Sequence, residues 1–104
     1  IEFSVTGLLG PEAGSMLFNR SFSPLRQLDP ERASSLLAVL RAWLEANGSW
    51  DGSAKALGLH RNSVRRQIGQ VGELLGRDLA DAQTRAELLI ALNYSPPDLA
   101  LPGK

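Results

Sequence analysis

The sequence predicts an all-α fold, a helical bundle, and three observations carry the prediction. Apolar residues recur at helical spacing in two long stretches, Leu36, Leu37, Leu40, Trp43 and Leu44, then Val64, Ile68, Val71 and Leu75. Helix punctuation brackets them, with Asp29-Pro30-Glu31 as a start and Asn47-Gly48, Gly58 and Gly76 as stops. Between the two stretches lies a short segment whose length and glycine boundaries suit one small helix and a tight turn.

Taken in order, residues 1–13 are broken by Gly7, Gly10 and Pro11 and read as a strand remnant or loop. Met16, Leu17, Phe18 and Phe22 predict a short helix over 14–22, stopped by Ser23-Pro24. Asp29 as N-cap and Pro30 in the first helical position open a helix over 30–46. A helix near 51–57 turns Ala54 and Leu57 inward, and Gly58 supplies positive φ for the turn after it. The next helix runs over about 61–75. A last one starts near Asp81 and carries Ala86, Leu88, Leu89 and Leu92. From Ser95 the proline-rich tail is expected to be irregular.

With 104 residues the chain suffices for one domain. Aromatics are 6%, so Leu, Ala and Val must fill the core. No cysteine is present, which excludes disulfides and thiolate metal sites and fits a cytoplasmic protein. No apolar run approaches the roughly 18 residues of a membrane span, and the start lacks the basic and apolar regions expected of a signal peptide, so none is expected. It begins with Ile, and the expectation is a piece of a longer protein.

Net charge is zero but unevenly placed. Residues 49–77 hold five basic side chains (Lys55, Arg61, Arg65, Arg66, Arg77) against Asp51 and Glu73, which leaves +3 there and −3 elsewhere. A basic segment in an acidic frame points to an anionic partner, nucleic acid first; the plainer alternative is a solvated helix face.

Short helix, glycine turn and longer helix with a basic N-terminal half is the sequence form of a helix-turn-helix. With Val64 at the centre of the buried face and about 100° per residue, Asn62, Arg66, Gly69 and Glu73 point outward. Ser63, Arg65 and Gln70 fall on the shoulders, and His60 and Arg61 stand at the helix start. Arg can bridge guanine O6 and N7, and Asn adenine N6 and N7. The candidate base contacts are therefore Asn62, Ser63, Arg65 and Arg66. The candidate phosphate contacts are Ser49, Ser53, Lys55, His60 and Arg61. Gly69 and Gly72 each cost roughly 1 kcal/mol inside a helix. They either admit a close neighbour or leave this half of the helix soft. His60 has no second His or Cys with which to hold a metal and no nucleophile pattern beside it, so it reads as a helix cap or phosphate contact. Trp43 reads as core. Trp50 either stacks on a base or covers the core edge, the second being favoured. The Leu-rich 86–92 segment reads as core, with a dimer face as the alternative.

Residues 36–92, LLAVLRAWLEANGSWDGSAKALGLHRNSVRRQIGQVGELLGRDLADAQTRAELLIAL, resemble the C-terminal helix-turn-helix domain of PucR-type bacterial transcription regulators, relatives of the carbohydrate diacid regulators. The most specific parts are His60-Arg61-Asn62-Ser63, the Leu-Leu-Gly-Arg-Asp-Leu run at 74–79, and Arg85-Ala-Glu-Leu. The resemblance implies a DNA-binding domain over 29–94, preceded in 1–28 by a remnant or linker of a regulatory domain and followed by the tail 95–104. It implies a sensor upstream that binds a small-molecule effector. It carries over roles for Arg61, Asn62, Ser63 and Arg65, while Arg66 and Gln67 rest on helix geometry. The family usually has Thr at Ser63, Tyr-Arg at Arg66-Gln67, and charged helix formers at Gly69 and Gly72. The stretch LGLHRNSVRRQI is also similar to the Fis-type helix-turn-helix of enhancer-binding activators.

The expected function is sequence-specific binding of double-stranded DNA, with the 61–75 helix in a major groove, by a homodimer, without cofactor, metal or membrane. An enzyme is not expected, since no paired catalytic groups stand out. The rival is a protein-interaction module that docks through the 86–92 face.

Overall fold

A computed structural model describes residues 9–95, and among these the chain forms five α-helices, one 3-10 turn and no strand. The expectations for residues 1–8 and for the tail after Ser95 lie outside the described residues.

Helix α1 spans Pro11–Phe22. It starts three residues earlier than the apolar pattern indicates. Gly10-Pro11 does not break the chain but begins the helix, with extended Gly10 as N-cap and Pro11 in the first turn, where proline's missing N–H costs nothing. Phe18 and Phe22 are buried with ring centroids 5.1 Å apart. Met16, expected with them, is 71% exposed. A 3-10 turn over Ser23–Gln27 then carries Leu25 into the core.

Helix α2 spans Pro30–Glu45. Asp29 Oδ1 accepts the N–H groups of Glu31 and Arg32 at 3.0 and 3.1 Å, satisfying two of the donors a helix start leaves free. Leu36, Leu37, Leu40, Trp43 and Leu44 are all buried. Ala46 caps the C-terminus; Asn47 (φ 55°) and Gly48 (φ 81°) reverse the chain. Helix α3 spans Trp50–Leu57, helix α4 Arg61–Leu75 and helix α5 Ala82–Leu92. Gly58 and Gly76 end α3 and α4 in the left-handed conformation. Asp81 caps α5, taking the backbone N–H and the hydroxyl of Thr84 at 2.9 and 3.0 Å. These two bonds, backbone first, hold the Asp81 carboxyl below its ordinary pKa.

One core joins all of these elements. Phe18, Phe22 and Leu25 pack in the same cluster as Leu40, Val64, Val71, Leu88 and Leu92. Packing therefore does not stop at residue 28, and α1 lies along α5. Each fully buried Phe or Leu contributes about 1.5–3 kcal/mol by removal from water. Ala86, expected to face inward from α5, is exposed, and Ala91 is buried instead.

The α1–α5 contact depends on Gly14. A β-carbon there would fall 2.2 Å from a ring carbon of Tyr94, so only glycine lets that ring lie on the helix. The Tyr94 hydroxyl then donates to the Leu9 carbonyl at 2.6 Å.

Candidate nucleic-acid interface

The turn between α3 and α4 decides what α4 displays. Gly58 at φ 68° reverses the chain, and Leu59 N–H bonds the Ala54 carbonyl at 3.0 Å. Ala54 and Val64 belong to the one core, so the two helices are seated on the same scaffold. His60 then starts α4 as its N-cap, with Nδ1 accepting the Asn62 N–H at 3.1 Å. In the neutral ring the other nitrogen, Nε2, carries the hydrogen and is left to donate outward.

Val64, Ile68 and Val71 are buried, and Leu75 is half-buried. Asn62, Arg65, Arg66, Gly69 and Glu73 are exposed, while Ser63, Gln67 and Gln70 are intermediate. Gln70 Oε1 accepts a hydrogen bond from Arg32 at 2.9 Å, which ties the shoulder of α4 to the start of α2.

Within the basic segment the five cations are not equivalent. Arg61 faces Asp51 at 3.4 Å, both well exposed, a pairing of little energetic weight that a partner can displace. Arg77 donates to Glu87 at 2.7 Å and to Thr84 at 3.3 Å. That guanidinium, with Gln83 second, holds the Glu87 carboxyl below its ordinary pKa. Arg77 is thus neutralised locally by a residue outside the segment. Among the described residues Lys55 and Arg66 have no side-chain partner. Arg65 has neither hydrogen bond nor ion pair and lies over the ring of Trp50, 5.8 Å from its centre.

Of the nine residues singled out by sequence, the structure places Lys55, His60, Arg61, Asn62, Arg65 and Arg66 on the surface along the start of α4 and the exposed side of α3. Ser63 is half-buried in the first turn. Ser49 is exposed, but its Oγ caps α3 by accepting the Gly52 N–H at 2.9 Å. Ser53 is a correction. It is fully buried, and its hydroxyl donates to the Ser49 carbonyl, so it presents nothing to a phosphate. Its position, four residues before the half-buried Leu57, is the signal that should have turned it inward.

Reasoning from sequence did not pair Trp50 with Arg65. Trp50 covers the core edge, stacked on Trp43 at 5.6 Å, and also lies beneath Arg65. The glycines separate cleanly. A β-carbon at Gly72 would touch the Arg77 carbonyl and Leu79 at 3.4 and 3.6 Å, whereas one at Gly69 would meet nothing within 4 Å. No group of three or more His, Cys, Asp or Glu placed to hold a metal occurs among the described residues, and no helix there is long and apolar enough to cross a membrane.

Residues 36–94 match the family described as the PucR C-terminal helix-turn-helix domain. The chain is 41% identical over 88% of its length to an uncharacterized protein in the pkwA 5' region of Thermomonospora curvata, spanning 43% of that protein. It is 31% identical over 71% of its length to the proline-responsive transcriptional activator PutR of Bacillus subtilis, spanning 18% of it. It is 34% identical over 82% of its length to the purine catabolism regulatory protein of the same organism, spanning 16% of it. The chain thus covers less than half of each relative. No solved structure gives a significant match.

Proposed function

The chain belongs to the PucR C-terminal helix-turn-helix domain family, and from that premise we propose that it is the sequence-specific DNA-binding domain of a bacterial, cytoplasmic transcription regulator whose helix α4 lies in a major groove. The names of two relatives, a transcriptional activator and a regulatory protein, support the regulatory part. One observation carries the DNA part. Behind a left-handed turn, the outward face of α4 offers Asn62, Arg65 and Arg66, all exposed and none in an ion pair. Asn62, Arg65 and Arg66 read bases, Ser63 serves a base or a phosphate, and Lys55, His60 and Arg61 contact phosphates. Ser49 contributes through the start of α3, and Ser53 has no part.

Affinity for duplex DNA grows with the number of phosphates neutralised. Lys55, Arg65 and Arg66 are the cations of residues 49–77 outside ion pairs, so one copy binds weakly. A homodimer on two half-sites about one helical turn, or a multiple, apart supplies the rest. PutR and the purine catabolism regulatory protein are several times longer than the chain, which supports an effector-binding domain elsewhere in the whole protein. No cofactor or metal enters this reading.

The test is selection from a random duplex library at about 0.05 M and about 0.2 M salt, with wild type beside Arg65→Ala/Arg66→Ala. The expected result is a motif that survives the higher salt and disappears in the double variant. Binding that vanishes in salt for both proteins, with nothing enriched, would sink the reading and favour a protein-interaction module.

A further inference from the structure

Arg65 and Arg66 are adjacent in sequence and both exposed, yet their surroundings differ. Arg66 has no partner among the described residues. Arg65 lies over the Trp50 ring at 5.8 Å, within the range over which the ring quadrupole attracts a cation. Trp50 is stacked on Trp43, with centroids 5.6 Å apart and planes 26° from parallel. Trp43 is 4% exposed and belongs to the core. A chain of contacts therefore runs from Trp43 on α2, through Trp50 at the start of α3, to Arg65 on α4.

The inner end of that chain of contacts is a costly residue. Trp43 Nε1 is buried without a hydrogen-bond partner among the described residues. Burying an indole N–H unpaired is unfavourable, and phenylalanine or leucine would fill a core without it. What indole adds at that position is a wide flat face for Trp50.

Resting on the DNA-binding reading above, we propose that Trp50 is a positioning residue for Arg65. Its ring confines the guanidinium before DNA arrives, which makes Arg65 the better positioned of the two base-reading arginines. The ring attracts the cation through its quadrupole, and Arg65 makes no hydrogen bond among the described residues, so its N–H donors stay unused. Those donors are the ones that guanine O6 and N7 accept as a pair. The contact therefore removes rotamer freedom in advance and takes away no donor. A lysine at 65 would keep the charge but neither the plane nor the paired donors.

The test has two arms on the 104-residue chain. The first needs no DNA. In NMR spectra of the free protein the Arg65 Hε is expected upfield of the Arg66 Hε through the Trp50 ring current, and Trp50→Leu should abolish the difference. Coincident resonances in wild type would overturn the proposal. The second arm repeats the library selection with Trp50→Leu, Trp50→Phe and Arg65→Lys. Preference at one base position should relax by about fivefold to a hundredfold in Trp50→Leu and Arg65→Lys. Combining the two should cost nothing further, and Trp50→Phe should fall between. If Trp50→Leu loses its fold, Trp50→Phe and Arg65→Lys decide. An unchanged motif, or one relaxed evenly at every position, overturns the positioning role and leaves DNA binding standing. A wild type that enriches no motif while the ring-current shift persists overturns the DNA reading, and the proposal falls with it.

Discussion

Gly14 and Gly69 sit inside helices α1 and α4, and each pays the same local penalty for lacking a side chain. Their surroundings are opposite. Gly14 is buried beneath the ring of Tyr94, where a single methyl group would collide with three ring atoms. Gly69 faces open space on the exposed side of α4. The contrast extends to the regions around them. The α1–α5 side is closed by ring packing, by the Tyr94–Leu9 hydrogen bond and by the Arg77–Glu87 pair. The α3–α4 side leaves polar side chains without partners. One half of the molecule spends its side chains on holding itself together, and the other holds its own in reserve for something else.

Four variants break or sharpen that contrast. The largest effect belongs to Phe22→Ala in the closed half. It should lose about 3–5 kcal/mol of unfolding free energy, read from the urea midpoint at constant slope. That is a large part of the roughly 5–15 kcal/mol of a typical domain. Next is Gly14→Ala, with a loss of about 1–3 kcal/mol as Tyr94 is forced off the helix. A Gly14→Ala protein as stable as wild type would show that the ring can move away freely. Gly69→Ala should go the other way and gain up to about 1 kcal/mol, because helix propensity improves and no atom is met. Destabilisation there would mean that α4 relies on a bare backbone for its own packing. The smallest effect is in acid. Asp81 has a lowered folded pKa, so its cap stabilises fully above the unfolded value, near the ordinary 3.8, and is lost as pH falls through the folded value. Thermal midpoints of wild type should therefore fall more steeply than those of Asp81→Asn below about pH 4; parallel curves would contradict the assigned cap.

The helix ends were legible because their causes are local. Asp29-Pro30, Asn47-Gly48, Gly58 and Gly76 act through the backbone within a few residues, and the boundaries of α2 and α4 agree with them to about one residue. Pro11 misleads because proline both breaks a helix and begins one, and only the residues after it decide which. The outward face of α4 followed from its period alone, and Asn62, Arg66, Gly69 and Glu73 are exposed as that period requires. What failed to show were contacts made across the chain. Gly14 answers to Tyr94, which no local pattern announces. Trp50 and Arg65 lie on different helices, and their meeting depends on how the turn at Gly58 sets one against the other. Ser53 has the residue type of a surface hydroxyl at a helix start, but its helical phase turns it inward.

The hydrogen bond from Tyr94 to the Leu9 carbonyl also has a mechanical meaning. It brings Leu9, just before α1, and Tyr94, just after α5, to one corner, so tension applied through the chain on either side of them pulls them directly apart. Load in that geometry opens contacts one after another, like a zip, and does not shear them all at once. The Tyr94 clasp and the α1–α5 seam would give way first.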